Sequence, residues 1–239
     1  MGAMMKLNLR SWNTSWGKVA GVSFRGGRDH NEDRIAVSDD GEVWLLADGM
    51  GGHANGAEAA TVAVRSAMQA VPAERSVQAA FEAARRGVVG MRQSEGGRTP
   101  GTALVGLSVK PLGGPGSGCE IPFGWIGDSR AWQQSGNGGQ LTALTDDHSI
   151  GHVVLRCLGG VEKTSEGDLG PEFGTALALP GDVFMLSSDG LHGFVSSAQI
   201  RGVLASVDEP AEMARRLVKL AMDEVTTDNV SVIVGRFGG

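Results

Sequence analysis

Four aspartates stand where apolar runs give out. Asp48 follows the run in "WLLADGMGGHANGAEAA" (Trp44 to Ala60), with Gly49, Gly51, Gly52 and His53 crowded behind it. Asp189 does the same in "VFMLSSDGL", ahead of Gly190. Asp128 lies in the tight joint of "FGWIGDSRAW", and Asp228 at the mouth of "TTDNVSVIVG". A single Asp-Gly is a common turn dipeptide, and taken alone Asp48 would be punctuation. Recurrence at the ends of core strands suggests convergence instead. Strand termini on one edge of a layered sheet can meet in space, and carboxylates gathered there repel one another unless cations neutralise them. Oxygen donors without a Cys or His cage select hard ions such as Mg²⁺ or Mn²⁺ over Zn²⁺. Gly49 and Gly190, lacking Cβ, would let a backbone carbonyl approach such an ion. Other chemistries lack their motifs: "DGMGGH" has no Gly-Lys-Ser/Thr ending for a nucleotide, no G-x-G-x-x-G opens a helix, and no G-x-S-x-G elbow offers a serine nucleophile.

Such acids need strands to carry them. Short β-type runs are expected at Val19 to Phe24, Arg34 to Val37, Val43 to Ala47, Ala103 to Val109, Ile121 to Ile126, Val183 to Ser187 and Val230 to Val234. Val77, Ala80, Phe81, Ala84, Val88 and Met91 fall at amphipathic helical spacing, as do Met213, Ala214, Leu217, Val218 and Ala221 after Pro210. A third helix follows Gly56, with Ala59, Ala60, Ala63, Ala67 and Met68 as a small-residue face, and Ser196 is an N-cap for a fourth. Strands cluster and helices pair, so an antiparallel-rich α+β layered fold is favoured over a doubly wound parallel sheet. "GGPGSG" (Gly113 to Gly118) reads as a hairpin loop, because a strand resumes directly after it.

Composition bounds the rest. With 239 residues, 41% hydrophobic, the chain suits one domain with a full core, and a net charge of −6 gives no basic footprint for nucleic acid. No apolar run approaches the ~18 residues that span a bilayer, and no signal peptide is expected. Cys119 and Cys157 are far apart, which suggests reduced thiols and a cytoplasmic location.

Taken together, "RDHNEDR" (Arg28 to Arg34), "LLADGMGGHANG" (Leu45 to Gly56), "GTAL" (Gly101 to Leu104), "GDSRAW" (Gly127 to Trp132), "LTDDHS" (Leu144 to Ser149), "LRCLGG" (Leu155 to Gly160), "LSSDGL" (Leu186 to Leu191) and "DNVSVIV" (Asp228 to Val234) occur in the order of the metal-dependent type 2C protein serine/threonine phosphatases. The chain most resembles the compact bacterial members, from about residue 20 to its end. The resemblance implies a four-layer α/β/β/α sandwich with two central, mostly antiparallel β-sheets flanked by helices. Residues 1–16 would be an N-terminal extension, in part left over from cloning, and 17–239 a single catalytic domain. It implies two Mn²⁺ or Mg²⁺ ions: Asp48 bridging them, the Gly49 carbonyl on the second, Asp189 and Asp228 completing the first ion's shell. Asp33, and Glu32 through waters, would hold the second ion's hydration sphere, with Asp33 also among the catalytic residues. Asp128 with Asp189 resembles a third-metal site of bacterial members. Arg28 would grip phosphate oxygens, and His53 would protonate the departing seryl or threonyl oxygen. A water shared by two ions would attack phosphorus in line. The implied substrates are phosphoserine and phosphothreonine proteins, those of a Ser/Thr kinase, acted on by a monomer in signal transduction. Readings of different class are a non-catalytic phosphoprotein-binding regulator on the same fold, and a hydrolase of small phosphate esters.

Lesser residues carry lesser expectations. His148 and His192 are read as structural, His30 and His152 as exposed, Asp146 and Asp147 as local turn formers, Thr102 and Ser129 as hydrogen-bonding supports, and Trp132 as packing. Many bacterial members carry a helical flap between "DHS" and an "RaLG"-like motif. Here only Ile150 to Leu155 separate Ser149 from Arg156, so the flap is expected to be nearly or wholly absent, leaving an open cleft with weak discrimination among phosphopeptides.

Overall fold

In the computed structural model, residues 7–50, 54–91, 100–114, 116–136, 138–151, 153–160, 163–164 and 167–238 are described. The run after Val43 forms β4 (Val43–Met50), and its alternation reveals the layering. Val43, Leu45 and Ala47 enter one core, while Trp44 and Leu46 enter another. Both faces of this strand are covered, which is why its sequence is uninterruptedly apolar.

Two six-stranded sheets follow from such strands. One runs β1 (Leu9–Asn13), β2 (Gly17–Phe24), β16 (Val230–Phe237), β15 (Val183–Ser187), β8 (Arg130–Gln134), β9 (Leu141–Ala143). The other runs β14 (Glu172–Ala178), β7 (Cys119–Ile126), β5 (Gly101–Ser108), β4, β3 (Arg34–Val37), with β6 (Lys110–Pro111) paired to β7. All these pairings are antiparallel. Two small hairpins, β10 (Ser149–Ile150) with β11 (Val153–Val154) and β12 (Lys163–Thr164) with β13 (Gly167–Asp168), stand apart.

Helices α1 (Ala54–Glu74) and α2 (Val77–Met91) cover the β4 sheet. On the other sheet lie α3 (Asp189–His192), α4 (Ser197–Ser206) and α5 (Pro210–Asp223), packed against Val22, Val230, Val232 and Val234. The core between the sheets is filled by Trp16, Trp44, Leu107, Phe123, Phe184, Ile233 and Phe237. Three cores need four layers, so the expected α/β/β/α sandwich is present. Ser196 caps α4 as expected, and Gln199 completes a capping box: Ser196 Oγ accepts from the Gln199 N–H, and Gln199 Oε1 accepts from the Ser196 N–H.

Some elements differ from expectation. Leu9–Asn13, assigned to the extension, pairs with β2 as an edge strand. β8 ("RAWQQ") and β14 ("EFGTALA") lack the branched alternation that marks a strand. The "GGPGSG" segment does close a hairpin, with the Leu112 N–H bonded to the Gly118 carbonyl. Where a flap was expected to be nearly or wholly absent, the described residues form the short β10–β11 hairpin.

Candidate metal centre

Antiparallel pairing brings the acids to one end of the sandwich. The C-terminal ends of β4, β7 and β15, the N-terminal end of β16, and the loop entering β3 all lie there. Asp48, Gly49, Glu32, Asp128, Asp189 and Asp228 line one cleft of about 990 Å³, together with Arg28. Asp33 lies beneath it, 2% exposed, with both carboxylate oxygens unpartnered by any well-formed hydrogen bond. β4 does not end at Ala47 as expected. It continues to Met50, so Asp48 is a strand residue opposite Ala103, and its carbonyl accepts from the Thr102 hydroxyl at 2.8 Å.

The glycines serve packing first. A Cβ on Gly49 would meet the Gly56 carbonyl oxygen at 2.2 Å, and one on Gly190 would meet that of Asn229 at 1.9 Å. Gly49 therefore lets the first turn of α1 rest directly on β4. The sequence suggested only approach to an ion, and this contact between α1 and β4 is a second reason for the residue.

Electrostatics record the convergence. Burial raises the Asp48 carboxyl well above the ordinary range, and the charges of Asp33, Asp189, Asp128 and Asp228 add to it. Burial pushes Asp33 up to about 7, opposed by the neighbouring Ser231 and Ser188 hydroxyls and assisted by Asp189 and Asp228. Asp189 is pushed up to about 6 by burial and by Asp128 and Asp228, and Asp128 is raised chiefly by burial. Among the described residues no three acidic, imidazole or thiol side chains close on a common point, and Asp228 is held by Arg28 instead. Still, mutually destabilised carboxylates with unpartnered buried oxygens form a donor set that fits hard divalent cations.

Arg28 donates from Nη2 to Asp228 Oδ2 at 2.6 Å, its side chain otherwise more than half exposed at the cleft. The Glu32 carboxylate lies within 2.5 Å of where a Gly56 Cβ would be, against the first turn of α1. His53, with Gly51 and Gly52, lies outside the described residues, as does His152. His30 is exposed, as expected, and lines the cleft.

Asn229 was missed, and it organises the whole Arg28 loop. Its Oδ1 accepts from the Glu32 N–H, while Nδ2 donates to the carbonyls of Arg25 and His30, all within 2.7–2.8 Å. The only sequence signal was an amide directly after Asp228.

The β7–β8 joint carrying Asp128 is held from two sides, by a loop and by α3. Gly127 turns at φ +105, where a Cβ would strike Ala103, and its N–H donates to His148 Nδ1 at 3.2 Å. On the other side His192 Nε2 meets the Asp128 carbonyl at 3.1 Å. Burial and the Arg130 charge push His192 down to about 3, so its imidazole is neutral. Both histidines, expected to be structural, hydrogen-bond within the fold: His148 to Gly127 and Glu172, and His192 to Ser187 and Asp128. Trp132 does more than pack: its indole N–H donates to Ser187 Oγ. Asp147 is no local turn former, since it takes a two-pronged bond from Arg130 at 2.7 Å on each arm. Ser129 Oγ is buried without a partner, so the expected support from it is not made.

A family model described as "Protein phosphatase 2C" matches residues 20–224. "Protein phosphatase PhpP" of Streptococcus pneumoniae is 27% identical over 212 residues, covering 79% of this chain and 82% of that protein. Among solved structures, PppA of Pseudomonas aeruginosa, described as a key regulatory component of T6SS, matches at TM-score 0.78 and 30% identity over 95% of this chain and 100% of that one. The catalytic domain of the serine threonine protein phosphatase PstP, in complex with 2 manganese ions, matches at TM-score 0.77 and 28% identity, covering 98% and 100%.

Proposed function

The chain belongs to the protein phosphatase 2C family and is a metal-dependent protein serine/threonine phosphatase; we propose that the acids of its cleft hold the cations and that Arg28 and His53 handle the phosphoryl group. The observation that carries this assignment is one cleft receiving Asp48, Asp128, Asp189 and Asp228, with unpartnered Asp33 below. Asp48, Asp189 and Asp228, with the Gly49 carbonyl, would hold two Mn²⁺ or Mg²⁺ ions, Asp33 and Glu32 their waters, and Asp128 a third ion. Bound there, divalent ions acidify water near neutral pH and offset phosphate charge.

The chain's own groups do the remaining work. Arg28 projects a planar guanidinium at the cleft and can clasp two phosphate oxygens of a phosphoserine or phosphothreonine. Asn229 fixes the loop that carries it. His53 would deliver a proton to the departing side-chain oxygen. A non-catalytic phosphoprotein binder has no need of five mutually repelling carboxylates, which are costly to keep. We place the enzyme in the cytoplasm, as a monomer acting on the products of a Ser/Thr kinase. Among the described residues no helix is long and apolar enough to cross a membrane.

Phosphate release from a phosphothreonine peptide tests this directly. Turnover is expected with Mn²⁺ or Mg²⁺, and loss of at least a hundredfold with chelator or in Asp48→Asn. Full turnover by a chelator-treated sample would reject the assignment.

A further inference from the structure

Asp128 sits on a short joint between strands of different sheets, and three side chains from separate elements form a hydrogen-bonded chain that ends on its carbonyl. Trp132 on β8 donates its indole N–H to Ser187 Oγ at 2.9 Å. Ser187, the last residue of β15, meets His192 Nδ1 at 2.9 Å, and His192 Nε2 meets the Asp128 carbonyl at 3.1 Å. The direction of this chain is forced. A carbonyl only accepts, so Nε2 carries the hydrogen; the indole only donates, so Ser187 accepts from it and gives its own proton to the bare Nδ1.

Ser187 is fully buried and Trp132 is 3% exposed, beside an apolar core of Met185, Leu191 and Val232. A polar relay in such surroundings costs stability unless every link is satisfied, and the same volume filled by apolar groups would hold the core as well. Its terminus explains it: the relay ends on the backbone of a cleft acid. His148, in the loop before β10, grips the preceding Gly127 from the opposite side through two hydrogen bonds, one to its N–H and one to its carbonyl.

We propose that His192 is a positioning residue: the Trp132–Ser187–His192 relay fixes the Asp128 carbonyl and thereby aims the Asp128 carboxylate into the cleft, setting its affinity for a divalent cation. The inference rests on the cleft acids being cation ligands. Outer partners that orient ligating groups typically contribute 10–100-fold in metal affinity.

Two measurements on the full chain test it. Long-range nitrogen–proton NMR of the imidazoles, which needs neither metal nor substrate, should show His192 as the Nε2–H tautomer. An Nδ1–H tautomer would overturn the relay. Mn²⁺ calorimetry then compares wild type with Asp128→Asn, which identifies the site that Asp128 serves. His192→Phe should weaken that site by about 10–100-fold and leave the others unchanged. His192→Gln, whose amide can donate to the same carbonyl, should retain most of it. If His192→Phe does not fold, Trp132→Phe, which deletes one donor from an aromatic of similar shape, should weaken the same site to a smaller degree. A lowered Tm with Mn²⁺ affinity intact at the Asp128 site would make His192 merely structural and reject the proposal. Should Asp128→Asn leave every Mn²⁺ site intact, the role of Asp128 itself fails and the proposal with it. A wild type that binds no Mn²⁺ would instead reject the assignment of the whole cleft.

Discussion

Arg28 and Asp228 form the sharpest test at the scale of single residues. The guanidinium and the carboxylate are paired at 2.6 Å, so a cation held by Asp228 would compete with Arg28 for the same oxygen. Removing the arginine should therefore cost phosphate binding and spare metal binding. A charge-assisted hydrogen bond to a charged group contributes about 1.5–3 kcal/mol, which corresponds to roughly 10–100-fold in KM for a phosphopeptide in Arg28→Ala. Mn²⁺ affinity measured by calorimetry should be unchanged or slightly higher. Lost Mn²⁺ affinity with an unchanged KM would show that Arg28 serves the metal side of the cleft.

Between elements, the decisive contact is α1 against β4. Gly49 and Gly56 press backbone on backbone, and no flexible side chain lies between them to yield. Gly49→Ala should force the helix off the strand and cost about 1–3 kcal/mol, as overpacked sites do. In a domain of this size that lowers Tm by roughly 2–4 °C per kcal/mol. Gly90 gives the contrast: it is exposed on α2 with nothing within 4 Å of an added Cβ. Gly90→Ala should stabilise by up to about 1 kcal/mol through helix propensity alone. Equal effects of the two substitutions in thermal unfolding would show that the α1–β4 approach is not tight.

For the molecule as a whole, the acidic end makes metal-free stability depend on pH with an unusual sign. Asp33 and Asp189 titrate near 7 and 6 in the fold, above the ordinary 3.8, so the folded state binds more protons than the unfolded chain between these values. Stability from these groups is complete below about pH 4 and is lost as pH rises toward 7. The total is on the order of a few kcal/mol, reinforced by Asp48 and Asp128, which burial also raises, and opposed by His192, whose depressed imidazole makes stability rise with pH between about 3 and 6.5. Cations reverse the balance, because they bind the ionised form. The Tm gain from Mn²⁺ should grow from pH 4 to pH 7, measured against a chelator control. A metal-free Tm that rises over the same window in His192→Gln, where the opposing imidazole is gone, would mean that the carboxylates are not strained against one another.

Much of this was legible in residue types. Continuous apolar runs such as Val43 to Ala47 mark strands covered on both faces, and the periodicity of Val77 to Met91 marks a helix, because burial acts on each residue locally. The acids at Asp48, Asp128, Asp189 and Asp228 were equally visible, since a charged residue closing a core strand is conspicuous against its neighbours. What their side chains touch was not. That Gly49 makes room for Gly56, that Asn229 spans some 200 residues to hold the Arg28 loop, and that Trp132, Ser187 and His192 meet behind Asp128 all depend on which strands become neighbours. β1 and β14 escaped for the same reason: an edge strand is specified by the partner it pairs with, not by its own hydrophobic pattern. The chain's own chemistry determined which groups could bind a cation; the order of strands in two sheets decided that they face one cleft, and hydrogen bonds between distant elements decided how each is aimed.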